Sequence, residues 1–223
     1  MILGVELNSL LNLMSAAVAL LVSYYAYKSN RLLGSSLLRY ISAGFLLLGV
    51  GLAVDGFSQA LLGLTPVDVT RFSGLEALVF TVDIVLQVVA YFVFAWGYAL
   101  GAFGRTRQLE SMSAAAAALG ATNIRVIRIL VFSLTLYLFA QLGIIVLMLF
   151  VVVQGVFIYS KSGSTLALTV LSGFILILVA HGILFLSVIY LSADVYIVGT
   201  LIQFLGFLSL LYFIYRSSRI GAA

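Results

Sequence analysis

Cysteine is absent from this sequence, which removes disulfides, thiolate metal centres and thiol nucleophiles together. Histidine occurs once, at His181, so the chain by itself cannot build a bis-histidine haem or a three-histidine zinc site. Proline also occurs once. Charge is scarce: 8% of residues are Asp, Glu, Lys or Arg, against about a quarter in soluble domains. Walker, zincin, serine-hydrolase and dinucleotide motifs are missing too, and so few charges leave no recognisable catalytic constellation. The expectation is a protein that is not an enzyme and holds no cofactor and no metal.

What fills the chain is apolar. Hydrophobic residues make up 64% and the mean hydropathy is +1.27. A soluble fold of 223 residues would leave much of that surface in water, so the solvent is a bilayer. The apolar runs lack the alternation of barrel strands, which leaves helices. The net charge of +4 comes from basic residues scattered between apolar runs rather than gathered in a patch, so nucleic acid is not an expected partner.

A span needs about 20 apolar residues. Six stretches qualify: Leu7 to Tyr27, Leu37 to Leu62, Leu75 to Phe103, Val126 to Ile158, Thr165 to Leu191 and Val195 to Tyr215. Dividing the long fourth would give seven, two of them only about 17 residues long, so an all-α bundle of six transmembrane helices is expected, with seven as the alternative. The loops are short and polar, except for residues 104–125, and no soluble domain interrupts the chain. Residues 1–223 therefore read as one membrane domain. With Glu6 and no basic residue ahead of the first span, a cleaved signal peptide is not expected.

Basic residues orient such a protein. Lys28, Arg31 and Arg39 follow the first span, and Arg105, Arg107, Arg125 and Arg128 surround the long loop. With six alternating spans all lie on one side, which should be the cytoplasm of a cell membrane, with the N-terminus outside. Arg216 and Arg219 then fall on the wrong side, a contradiction that seven spans would remove.

Two pairs of spans look alike: "VLQVVAYFVFAWGY" beside "LIQFLGFLSLLYFIY", and "SAGFLLLGVGLA" beside "LSGFILILVAHG". They suggest a duplication into two three-helix repeats. Three spans per half would make the halves inverted in the membrane.

Polar residues inside spans are costly, and each needs a partner, water or a proton. Asp55 and Asp83 lie at similar depth on a helical hairpin, roughly 9 Å from the midplane by helical rise. A facing pair would suit a proton or cation site, because two like charges in low dielectric need something positive shared between them. Gln59 and Glu76 would lead toward it. The plainer reading is a carboxyl hydrogen-bonded across the hairpin or at a subunit contact. A second layer, Gln87, Gln141, His181 and Gln203, is expected near mid-membrane, where interhelical hydrogen bonds alone would account for it. Tyr24, Tyr25, Tyr27, Tyr159, Tyr212 and Tyr215 sit at span ends, as interfacial anchors do.

One string has a family flavour. "SAAAAALGATNIRVIRILVF", Ser113 to Phe132, resembles the cytoplasmic coupling loop of ABC importer permeases at Leu119, Gly120, Ala121 and Thr122. The glutamate and the Leu-Pro of that pattern are missing. The resemblance implies an ATPase partner. More diffusely, "GYALGAF", "LIQFLGFLSLLYF" and the overall plan resemble small multi-pass membrane proteins of unknown function common in archaea, some of which serve as membrane input modules of sensors.

Together these readings favour a non-catalytic membrane component, an accessory subunit or sensor-like module. Its expected partners are membrane lipids and another protein or a second copy. The alternative is a small transporter or permease, proton- or cation-coupled or of ABC type.

Overall fold

A computed structural model describes residues 2–62, 74–103, 126–163 and 165–220. Among these the structure is entirely helical: α1 (Ile2–Leu33), α2 (Ser36–Leu62), α3 (Gly74–Phe103), α4 (Val126–Ser162), α5 (Thr165–Ile189) and α6 (Ala193–Ile220). Each of the six contains a stretch long and apolar enough to cross a bilayer, so this is a multi-pass membrane protein with the expected six-helix bundle. Helices are what lipid demands, because every backbone N–H and C=O must be satisfied within its own segment. The long fourth stretch is one continuous helix.

Local chemistry sets the ends. Gly34 and Gly163 adopt φ of +64° and +58°, and their N–H groups return to Asn30 O and Tyr159 O, both at 2.8 Å. These are left-handed caps that glycine takes without a Cβ penalty. The Ser192 hydroxyl accepts from Val195 N at 3.4 Å and opens α6.

The helices form a closed ring in chain order, with α6 returning to α1. Their directions come from paired contacts. Asn12 meets Asp55 and Ser23 meets Ser42, so α1 and α2 are antiparallel. The Phe45–Phe94 ring pair and the approach of Gly97 to Tyr40 make α2 and α3 antiparallel. Leu171 lies against Gly155, and His181 bonds Gln141, so α4 and α5 are antiparallel. Gly199 packs on Leu184 and Gly173 on Leu210, which does the same for α5 and α6.

The two closures of the ring are different. Thr200 bonds Asn8 while Tyr215 stacks edge-on against Tyr25, so α1 and α6 run parallel. His181 meets Tyr91 and Phe174 meets Tyr98, making α3 antiparallel to α5 and hence parallel to α4. The halves α1–α2–α3 and α4–α5–α6 therefore run in the same sense. This corrects the expectation of inverted halves, which assumed that successive spans alternate in direction throughout. Phe103 lies at the face where α4 ends, and Val126 at the other. Residues 104–125 lie outside the described residues.

The duplication itself is visible in burial. On α3 the buried positions Asp83, Ile84, Gln87, Ala90, Tyr91, Phe94 and Tyr98 match Gly199, Thr200, Gln203, Gly206, Phe207, Leu210 and Ile214 on α6. On α2, Gly44, Phe45, Leu48, Gly51, Leu52 and Asp55 match Gly173, Phe174, Ile177, Ala180, His181 and Leu184 on α5. On α1, Asn8, Asn12, Ala19 and Val22 match Tyr137, Gln141, Met148 and Val151 on α4. Contacts follow the same register: a Cβ on Gly44 would strike Phe94, and one on Gly173 would strike Leu210. Parallel repeats of this kind are related by an axis along the membrane normal.

The bundle is apolar outside and divided inside. Leu46, Val50, Phe57, Phe139, Val146, Val153 and Leu201 are among its exposed side chains, as lipid contact requires. Between the centre and the face where α1 ends, the core is aromatic and aliphatic, with Phe45, Phe94, Phe174 and Phe207 stacked around the axis. Tyr24, Tyr27, Tyr159, Tyr212 and Tyr215 ring that face, and Arg31 lies 5.3 Å over the Tyr27 ring. Toward the face where α1 begins, the core is polar.

Candidate functional site

The polar half of the core takes side chains from every helix. Asn8, Ser9 and Asn12 on α1 occupy successive positions of one helix face. From α2 come Asp55 and Gln59, one turn apart, and from α3 Asp83 and Gln87, also one turn apart. Tyr137 and Gln141 on α4, His181 on α5, and Tyr196, Thr200 and Gln203 on α6 complete the set. Each is buried. In lipid this inside-out arrangement is the stable one, provided the polar groups find one another.

Most do. Asn12 Nδ2 donates to Asp55 Oδ2 at 2.7 Å, and Gln59 Nε2 donates to the same oxygen at 2.8 Å. Asn8 Nδ2 donates to Gln59 Oε1, and Thr200 Oγ1 donates to Asn8 Oδ1 at 3.1 Å. Ser9 Oγ donates to Gly56 O at 2.8 Å. One chain of bonds thus runs from α6 through α1 to the Asp55 carboxyl. On α3, Gln87 Nε2 donates to Asp83 Oδ2 at 2.8 Å. His181 stands between Gln141 Oε1, 2.8 Å from Nδ1, and the Tyr91 hydroxyl, 2.6 Å from Nε2. The tautomer with Nδ1–H donating to Gln141 and Nε2 accepting from Tyr91 satisfies all three groups.

Asp55 and Asp83 line one cavity, which leaves about 10 Å³ for the centre of a water molecule, enough for one. Asn12, Gln87, Gln141 and Gln203 also line it, with apolar wall from Leu52 and Leu184. All six helices reach it, and it lies on the axis between the halves, since Asn12 and Gln141, Asp55 and Leu184, and Gln87 and Gln203 are equivalent pairs. Gly51 leaves room for the Asp83 carboxyl: a Cβ there would lie 2.9 Å from Asp83 Oδ1. Two buried atoms of the lining residues have no hydrogen-bond partner, Asp83 Oδ1 and Gln203 Nε2.

Comparison with protein-family models, curated proteins and solved structures finds no match. The site must therefore be read from its own chemistry.

The sequence placed Asp55 and Asp83 on a common hairpin, and the structure brings them to one cavity with Gln59 bonded to Asp55. It placed Gln87, Gln141, His181 and Gln203 in a separate layer at mid-membrane. They are instead continuous with the carboxyls: Gln87 lies one turn from Asp83 and bonds it, Gln141 and Gln203 line the same cavity, and His181 bonds Gln141. Glu76 falls in α3, but its side chain, the long basic loop 104–125 and the side chains of the Ser113 to Phe132 string lie outside what the structure describes. Sequence reading missed Asn8, Asn12, Tyr91, Tyr137, Tyr196 and Thr200. The pair Asn8 and Asn12, one helical turn apart within an apolar run, was the signal available for the first two.

Proposed function

We propose that this chain is a small membrane transporter for a proton or small monovalent cation, with Asp55 and Asp83 at its binding site. The observation that carries this is the position of the two carboxyls: in one cavity, on the axis between equivalent halves, walled by all six helices. Transporters built from repeats place their sites at the repeat interface, and carboxyls within a membrane mark ion or proton pathways. The volume excludes a metabolite-sized cargo. The phenylalanine core closes the site from the face where α1 ends.

The same geometry supports an orientation. Lys28, Arg31, Arg39, Lys161 and Arg216 gather at that closed face, while Glu6, Asp194 and, at the start of α4, Arg128 lie at the other, the last against the expectation that it shared the side of Arg31 and Arg39. The basic face is then cytoplasmic and the N-terminus outside. Arg216, anomalous under six alternating spans, falls where it should.

The tight packing favours a second reading, a non-catalytic accessory or sensor-like module in which the polar cluster only fixes helix order. The two differ in an electrical assay. Proteoliposomes adsorbed on a supported membrane, exposed to jumps in pH, Na⁺ or K⁺, should give a transient current that Asp55→Asn and Asp83→Asn each reduce at least tenfold. If no jump moves charge, the transport reading is wrong. Co-migration with a partner on native electrophoresis would then support the accessory reading.

A further inference from the structure

Resting on that reading, we propose that the transported ion is the proton, carried to Asp83 Oδ1 by a single water held between that oxygen and Gln203 Nε2. The donor set argues against an alkali ion. A desolvated alkali ion needs a shell of oxygens in place of its hydration. Here Asp55 Oδ2 already accepts two N–H bonds and Asp83 Oδ2 one, and Gln203, another lining residue, adds an unpartnered amide donor, which opposes a cation. The two unpartnered atoms on the cavity are one acceptor and one donor. A water molecule donates to the first and accepts from the second, and the space accommodates one.

Both residues are 3% exposed, so bulk solvent does not supply these bonds. Ser15 Oγ and Ser29 Oγ also lack partners, yet neither residue lines the cavity. The unmet hydrogen bonds at the axis are thus specific to the carboxyl site. Titratable groups facing it are Asp55 from α2, Tyr137 from α4 and Tyr196 from α6, with His181 of α5 beyond Leu184 and bonded to Tyr91 of α3. From α1 comes Asn12, which does not titrate, and no Lys or Arg is among the lining residues. Loading is a simple transfer: an O–H bond of hydronium breaks, an O–H bond forms on Asp83 Oδ1, and neutral water remains.

The test uses purified full-length protein in phosphatidylcholine–phosphatidylglycerol vesicles with a potassium diffusion potential, negative inside, set by valinomycin. Proton entry is read by trapped pyranine and sodium entry by radioactive Na⁺ in parallel samples. Proton entry should exceed that of protein-free vesicles at least fivefold, with sodium entry at the protein-free level. Asp83→Asn should lower proton entry at least tenfold and Gln203→Leu at least threefold. Sodium entry without proton entry overturns the proton assignment and leaves the transporter reading standing. Entry of neither ion overturns both. Proton entry unchanged in Asp83→Asn overturns the assignment of the site. The wild-type comparison decides the ion even if a variant fails to fold.

Discussion

Replacing Gly51 with alanine separates the site from the scaffold that holds it. The new Cβ would lie 2.9 Å from Asp83 Oδ1, 3.4 Å from Leu86 Cβ and 3.6 Å from Asp83 O. Non-bonded heavy atoms prefer about 3.5 Å, so the carboxyl oxygen must retreat by about 0.6 Å. That oxygen ends a side chain with two torsions, and an off-rotamer adjustment costs about 0.5–1.5 kcal/mol. Alanine returns about 1 kcal/mol of helix propensity. The two nearly cancel, so stability should change by less than about 1 kcal/mol. The site has no such compensation: a displaced carboxyl intrudes on space for one water. Ion movement in vesicles should fall at least fivefold while the melting temperature, followed by the fluorescence of Trp96, stays within a few degrees. The second half makes the comparison natural, since Ala180 occupies the position of Gly51 and Gly199 that of Asp83. Full ion movement at unchanged stability would refute the placement of the site, and a collapse in stability would refute the claim that Asp83 yields by rotation.

Other glycines test the fold. Gly206→Ala brings a Cβ to 2.8 Å from Ile177 Cγ1 and 3.1 Å from Gly173 O, where backbone must move, and should destabilise by about 1–3 kcal/mol. Gly143→Ala meets nothing within 4 Å and should stabilise by up to about 1 kcal/mol; a reversed order of their melting temperatures contradicts the α5–α6 packing. Because the native chain has no cysteine, single cysteines report sidedness directly. Glu6→Cys and Arg216→Cys should label from opposite sides of the membrane, and labelling from the same side would disprove the parallel arrangement of α1 and α6. Finally, a double-mutant cycle of Gln141→Leu and His181→Leu should show coupling of about 0.6–1.7 kcal/mol. Coupling near zero means their 2.8 Å contact contributes nothing.

The number of spans was legible because lipid imposes length and hydrophobicity on any crossing helix, and all six apolar runs became helices. The ends were legible where glycine fixed them, as at Gly34 and Gly163. The direction of the second half was not. Residues 104–125 read as one long loop, and only the misplaced Arg216 and Arg219 signalled that the third and fourth spans begin on the same side. That Asp55, Asp83 and His181 are buried inside the bundle was also legible, since they stand out against apolar neighbours. Their grouping was not, because helices apolar on every face give periodicity nothing with which to set rotation. The duplication could be read from Gln87 and Gln203 in similar strings, and the burial pattern that aligns them emerges only once all six helices are packed.

Duplication also explains why the site is lopsided. Two identical halves would set four carboxyls around one small cavity, with mutual repulsion that a low-dielectric interior could not relieve. Instead Leu184 stands opposite Asp55 and Gly199 opposite Asp83, so the second half contributes space and an apolar wall, while Gln87 and Gln203 remain alike on both sides. His181 departs from the pattern in the other direction: it stands where the first half has Leu52, and Gln141 and Tyr91 take up both of its nitrogens. The first half therefore carries both carboxyls and the amides bonded to them, and the second half completes the wall with neutral side chains. An ion bound between them, as proposed, would contact both halves at once. Movement of one half against the other, along the parallel seams α3–α4 and α6–α1, would change its surroundings without unfolding either hairpin.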